Sequence, residues 1–475
     1  MSQAIPTVPM LIGGRWVESA ARIECIDPYR QEPVASVCDS TLADLDAALD
    51  SVRRGAQSVA AMPARERARL LRSMASAVRA GAADLAQVMA RETGKPVQDG
   101  LTEALRSAET LELSAEEAVR IEGAHIPMDS SAIGAGKLAL TVRVPVGVVA
   151  AITPFNAPVN LTAHKLGPAF AAGNSVILKP SPQAAFTVQR FVALLLEGGL
   201  PPDWLALLHG DLVGPKLVGD PRVDFVSFTG SNRVGEIIKA TSGLKRVALE
   251  LGGNGFSIVA SDADLALAAA TCARNSMRLA GQSCISVQNV LVDRKVYDAF
   301  VERMVTEVGK LKVGDPLAAG TDVGPLISIQ AAERVAALID AAVEAGARLM
   351  LGGTREGALV MPTVLADVPQ SCAAVSGEVF GPVVNLLPFD DVDAAFELAN
   401  RGPFGLQAGI FTASLPLALR AAKTLRMGAV IVNGSSTWRS DQAPYGGVKA
   451  SGIGREGPRF AIREMTDEKL IVFNH

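Results

Sequence analysis

From residue 145 to residue 260 short apolar runs alternate with helical pieces, and that alternation leaves the chain few folds to choose from. "VGVVAAIT", "NSVILKP", "LALLHG", "VDFVSFTG" and "FSIVAS" have the length and β-branched content of buried strands. Between them, "QAAFTVQRFVALLLEGG" and "SNRVGEIIKATSG" carry apolar residues at helical spacing. Strand–helix–strand connections of this kind build a parallel sheet with helices on its faces. A second alternating block runs from about 260 to 450 and includes "NVLVDRKVYDAFVERMVTEVGKL" and "SIQAAERVAALIDAAVEAGARLM". At 475 residues the chain exceeds one compact core. Two doubly wound α/β units are therefore expected. Residues 41–122 read as helices, the first capped by Thr41.

Composition narrows the function. Hydrophobic residues make up 49% and charged residues 20%, with net charge −4. No basic stripe is present, so nucleic acid and anionic membrane are poor candidates for a partner. No apolar run approaches a bilayer span. The N-terminus, "MSQAIPTVPMLIGG", lacks the charged and apolar regions of a secretion signal. Cys25, Cys38, Cys272, Cys284 and Cys372 are far apart and form no CxxC pair. With only four histidines, neither a metal site nor a disulfide framework is expected. A reducing, cytoplasmic setting fits this cysteine usage.

Several residues invite two readings. In "VDFVSFTGSNRVGEIIK" a strand runs into Thr229-Gly230-Ser231 and then a helix, a junction that aims N–H groups at a phosphate or is a plain turn. Lys179 ends the strand in "NSVILKPSPQ", where ligands sit in open α/β sheets, although a lone strand-end lysine is often just solvated. Glu250, in "VALELGGNGFSIV", is costly to bury unless bonded or used. Asn156 in "ITPFNAPVNL" could be a turn residue, and Cys284 in "LAGQSCISVQ" a small buried hydrophobe.

Their order removes much of the ambiguity. "TPFNAPVN", "GNSVILKPS", "SFTGS", "ELGGN", "GQSC", "GEVFGPVV" and "PYGGVKASGIGRE" follow one another along the whole chain. This series resembles that of the aldehyde dehydrogenase superfamily, non-acylating and NAD(P)-dependent. The resemblance implies a Cys284 thiolate that attacks an aldehyde and leaves a thiohemiacetal oxyanion. The Asn156 amide and the Cys284 backbone N–H would hold that oxyanion. Hydride loss to a nicotinamide would give a thioester, and Glu250 would activate the water that hydrolyses it. Relatives that pass the acyl group to CoA usually lack this glutamate, so an acid product is expected. Lys165 matches a lysine that supports the asparagine and the glutamate.

By the same resemblance the cofactor is held by Thr153, Pro154, Phe155, Lys179, Ser181, Pro182, Thr229, Gly230, Ser231, Leu251, Glu378 and Phe380. Pro182 stands where NAD-preferring relatives often have a glutamate. A carboxylate there would repel a 2′-phosphate and proline does not, so NAD or NADP, or both, can serve. The resemblance places a cofactor domain at residues 1–125 and 146–252 and a catalytic domain at 253–450. Bridging strands at 126–145 and 465–475 would form a small oligomerisation sheet. "KLALTVRVPV" and "KLIVFNH" support this as exposed strands whose edges need covering, so a homodimer or homotetramer is expected.

The substrate tunnel of relatives is often aromatic or apolar. Here its lining positions hold Arg106, His164, Arg278, Ser283, Arg439 and Tyr445, and Ala157 widens it. Guanidinium groups take carboxylate, phosphonate or sulfonate in bidentate fashion. A short aldehyde with an anionic tail is therefore expected, such as a semialdehyde, phosphonoacetaldehyde or sulfoacetaldehyde. The motifs are similar to those of the branch with lactaldehyde, glyceraldehyde-3-phosphate and phosphonoacetaldehyde enzymes. Ser283 departs from the arginine that phosphate-binding relatives carry there, which leaves a carboxylate more open. The alternative is a broad or aromatic-aldehyde dehydrogenase with these arginines in ion pairs. A non-catalytic relative fits poorly with the intact Cys284, Glu250 and Asn156.

Overall fold

The computed structural model describes residues 5–474. Residues 1–4 and 475, within the expected first and last segments, lie outside the described residues. Two large sheets dominate. The first has eight strands in the order Gly452–Ile453, Arg246–Glu250, Phe225–Thr229, Val148–Thr153, Ser175–Pro180, Leu205–Leu207, Met10–Ile12 and Arg15–Val17. Its five central strands are parallel and its edges antiparallel. The second has seven, in the order Arg348–Leu351, Thr363–Ala366, Val383–Phe389, Val287–Asp293, Gly255–Val259, Gln407–Phe411 and Ala429–Val432. It is parallel except at the Arg348–Leu351 edge. Their central strands are buried at every position but Ile152, as continuous apolar runs in a doubly covered sheet should be.

Register decides which side chains meet. Glu250 pairs with Thr229, Phe228 with Ile152, and Ile152 with Lys179. The carboxyl ends of these strands thus present Glu250, Thr229, Thr153 and Lys179 along one edge. The alternation of strand and helix forces this, because every crossover helix starts from that edge.

Helices cover the sheets. Leu42–Ala61 opens with a capping box in which Thr41 and Asp44 satisfy each other's backbone donors. Pro158–Ala172 is buried on every side and begins at a proline, whose missing N–H is no loss there. The N–H groups of Val159 and Asn160 at that helix start donate to the buried Glu103 carboxylate at 2.8 and 3.1 Å. A carboxylate at the positive helix end fixes the direction in which Asn156 and Ala157 enter the helix.

A third sheet pairs Thr466–Asn474 with Lys137–Pro145 in antiparallel register, with His125–Ile126 on its far side. Residue 125 therefore belongs to this small sheet, one residue before the expected start. Leu138, Leu470, Val472 and Phe473 are exposed on it. Two features escaped the sequence reading. Thr7–Val8, Pro33–Cys38 and Arg22–Ile26 form their own three-stranded sheet, and Gly452–Ile453 adds an edge strand to the first sheet beside Glu250. Gly452–Ile453 is too short to show a period of two.

Candidate active site

The helix Leu265–Met277 ends at Arg278, and the backbone then turns left-handed for three residues. Leu279 (φ 55°), Ala280 (φ 52°) and Gly281 (φ 69°) make this turn. For Leu and Ala such a conformation costs about 1–2 kcal/mol each, so the surroundings must enforce it. Gln282 does much of this. Its backbone N and Nε2 donate to Leu279 O at 3.1 and 3.2 Å, and its Oε1 accepts from Ile327 N at 2.9 Å. The turn swings Cys284 to the wall of a cavity before the chain enters strand Val287–Asp293.

Around Cys284 the polar atoms are specific. Its Sγ lies 3.1 Å from Tyr445 Oη, and Tyr445 Oη donates to Glu250 Oε1 at 3.1 Å. The Cys284 backbone N–H meets no acceptor among the described residues. Asn156 Oδ1 accepts from Ala157 N at 3.0 Å, and Nδ2 donates one hydrogen to Gln282 O at 2.9 Å. That network fixes the amide's orientation and leaves a second N–H free beside the thiol loop. Two unspent N–H donors near a thiol can receive an oxyanion.

The electrostatics follow from burial. Burial, and then the like charge of Glu456, push the Glu250 carboxyl up to about 7. Burial and the neighbouring Glu250 push the Cys284 thiol well up. Glu456 is also buried, which alone would raise it, yet Lys165 and Arg439 hold it at about 2. Its partners are close: Lys165 Nζ at 3.1 Å and Arg439 Nη2 at 3.0 Å. The Arg439 guanidinium also lies over the Tyr445 ring, 3.8 Å from its centroid.

The cavity measures about 450 Å³. Lys95, Arg106, Arg278 and Arg439 line it, together with Asn156, Asn160, Ser283, Cys284, Trp438 and Tyr445. Each arginine has a carboxylate. Arg106 grips Asp441 with Nε and Nη2, at 3.1 and 2.7 Å. Arg439 holds Glu456, while Lys95 pairs with Glu103. Arg278 gives only Nε to Asp99, at 3.2 Å, and both its terminal nitrogens are without protein partners among the described residues. Arg278 is therefore the guanidinium with an open fork.

Two expectations need correction. His164 does not line the cavity. It is fully buried and bonds Asp441 Oδ1 through Nε2 at 2.9 Å, so it braces the carboxylate that holds Arg106. Burial, then Arg439, lowers its basicity. Lys165 supports neither Asn156 nor Glu250. Its ammonium bonds Ser227, Thr229 and Glu456, because a buried cation settles on the nearest carboxylate. Arg439 lines the cavity; Glu456 takes its Nη2 and its face lies on the Tyr445 ring, while its buried Nε has no partner among the described residues. Glu456, Asp441, Asp99 and Gln282 were missed. Glu456 closes the quoted "PYGGVKASGIGRE", where a lone acid after glycines was the available signal.

A second set lies along the strand ends. Ser231 caps the helix Asn232–Thr241, and the N–H groups of Asn232 and Arg233 have no protein acceptor among the described residues. Gly230 lies against the Phe228 ring, where a Cβ would come within 2.5 Å of it. Lys179 Nζ reaches Asp211 at 3.1 Å. Glu378 accepts from Gly253 N at 3.0 Å, and burial pushes its carboxyl up to about 7. Phe155 and Phe380 meet edge to face with centroids 6.2 Å apart. Thr153 ends its strand, and its carbonyl receives Ser181 N at 2.8 Å across Pro154 and Pro182. Leu251 is buried beside Gly235. Unspent helix-start donors, a strand-end ammonium and a carboxylate suit a dinucleotide's pyrophosphate and ribose hydroxyls.

No group of three or more metal-ligating side chains occurs among the described residues, and no helix among them is long and apolar enough to cross a membrane. The model of the Aldehyde dehydrogenase family matches residues 16–471. The 3-sulfolactaldehyde dehydrogenase of Priestia aryabhattai is 42% identical over 467 residues, 98% of each chain. The structure of aldehyde dehydrogenase 21 from Physcomitrella patens, in complex with the reaction product succinate, superposes with TM-score 0.96 at 35% identity over 99% of each chain. NADP-dependent glyceraldehyde-3-phosphate dehydrogenase from Bacillus halodurans, complexed with NADP, superposes with TM-score 0.96 at 33% identity over 98% of this chain and 99% of that one.

Proposed function

Because this chain belongs to the aldehyde dehydrogenase family, we propose that it oxidises a short aldehyde with an anionic tail to the acid, with NAD or NADP as oxidant. One observation carries the reading: Cys284, with its N–H and an Asn156 N–H unspent, faces the cavity that holds the open fork of Arg278. In this reading the Cys284 sulfur adds to the carbonyl carbon. The two N–H donors receive the oxygen's developing charge. Arg278, with Arg106 beside it, orients the substrate by its anion.

Ser231, Lys179 and Glu378 would hold the dinucleotide, with Thr153, Phe155, Thr229 and Phe380 around it. When bound, it supplies the hydride acceptor that turns the thiohemiacetal into a thioester. Glu250, ionised above about pH 7, then takes a proton from the water that attacks the thioester. Pro182 sets no carboxylate against a 2′-phosphate, and the relative complexed with NADP supports its use here.

The named relatives support the anionic tail: one acts on a sulfonated aldehyde and another was solved with a dicarboxylate product. A second reading, broad or aromatic specificity, draws on the pairing of all three arginines with carboxylates. The exposed Leu470, Val472 and Phe473 further support a homo-oligomer built through the small sheet. A kcat/KM panel of succinic semialdehyde, sulfoacetaldehyde, phosphonoacetaldehyde, benzaldehyde and hexanal, with each cofactor, tests the assignment. An uncharged aldehyde ahead of every anion by about tenfold, or about 1.4 kcal/mol, overturns it.

A further inference from the structure

Tyr445 lines the cavity, yet its hydroxyl is engaged on the side of Cys284 and Glu250. It touches Cys284 Sγ on one side and Glu250 Oε1 on the other, each at 3.1 Å. A phenol has one proton to give and lone pairs to receive another, while an ionised carboxylate only accepts. With Glu250 ionised the order is therefore set. Tyr445 donates to Glu250, and the Cys284 thiol donates to Tyr445.

We propose that Tyr445 is a catalytic proton relay, whose hydroxyl takes the Cys284 thiol proton as it passes its own proton to Glu250. The inference rests on Cys284 as nucleophile and Glu250 as base. In the step the S–H bond breaks and a new O–H forms at Tyr445. The original Tyr445 O–H breaks and an O–H forms at Glu250. The freed sulfur pair makes the C–S bond, and the carbonyl π pair moves to oxygen, facing the Asn156 and Cys284 N–H donors. Nothing is oxidised or reduced.

Two features make such a relay workable beside the direct approach of the Glu250 carboxyl to the Cys284 thiol, from which the loss of the Tyr445 hydroxyl alone separates it. No Lys, Arg or His bonds Cys284 Sγ, and burial and Glu250 keep the thiol protonated at neutral pH, so no neighbouring cation stabilises a thiolate. Arg439, pinned by Glu456, lies on the face of the Tyr445 ring and stabilises negative charge there as the proton passes. Arg439 is on this account a positioning residue for Tyr445.

Alkylation of Cys284 by iodoacetamide, followed from about pH 6 to about pH 9 across the range where Glu250 titrates, tests the relay. The native protein should show a rise in rate near Glu250's value of about 7. Tyr445→Phe keeps the ring under Arg439 but lacks the hydroxyl. It should lose that rise and react roughly a hundredfold more slowly at neutral pH. Glu250→Gln should do the same, and the double variant should be no slower than either single one. A native pH profile in Tyr445→Phe, or losses that multiply in the double variant, overturns the relay while leaving the nucleophile and base in place. Aldehyde oxidation surviving in Cys284→Ala overturns the underlying reading and the relay with it.

Discussion

Replacing Arg278 by Ala should separate anion recognition from chemistry. Its guanidinium gives one bond to Asp99 at 3.2 Å and keeps two terminal nitrogens for a ligand. Hydrogen bonds to charged groups contribute about 1.5–3 kcal/mol each. The side chain is 33% exposed, so solvent screening holds the pair to the low end of that range. Two such bonds then amount to about 3 kcal/mol, or roughly a hundredfold in kcat/KM. The loss should fall on KM and on anionic aldehydes, with hexanal changed by less than about threefold, since Arg278 touches none of the reacting atoms. Asp99 is itself partly exposed and tolerates losing its partner. Asp99→Asn, which frees the guanidinium, should preserve or improve use of the anionic substrate. Initial rates with succinic semialdehyde and hexanal decide the matter. Equal losses on both substrates, or an anionic loss under about threefold, would refute the assignment of Arg278 to the anion.

Further outcomes follow from the same geometry. Glu250 must be ionised to accept a proton, so turnover should fall as pH drops through about 7, and Glu250→Gln should lose that limb. Asn156→Ala should lower kcat by roughly 10²–10³ while Cys284 alkylation stays near the native rate. Arg439→Met leaves Glu456 with Lys165 alone and strips the Tyr445 ring of its cation. It should lower stability by roughly 3 kcal/mol in urea unfolding. Phe473→Lys on the exposed face of the small sheet should reduce the mass seen by sedimentation without unfolding the chain.

The sequence marked Cys284, Glu250 and Asn156 through the order of the motifs that carry them, which resembles the family's series, since each read alone has a plain structural alternative. It exposed the parallel sheets because buried strands and amphipathic helices have different periods. It did not expose the ion pairs. Arg106 and Asp441 are far apart in the chain, as are Arg278 and Asp99, and a charged residue carries no mark of its partner. His164 was misread for the same reason. Its position suggested a lining residue, but a helix buried on all sides turns it to Asp441.

The sequence by itself determined the fold class, through its alternating periods, while the family and the chemistry-bearing residues came from the resemblance of its ordered motifs to a known series. Only the tertiary structure decided how those residues are shared out. Lys165 went to Glu456, Arg439 to the Tyr445 ring, and Tyr445 between Cys284 and Glu250. The reason is physical: a buried charge or hydroxyl must find its partner within about 3 Å of space, and strand register and crossover, not distance along the chain, determine what lies within that reach.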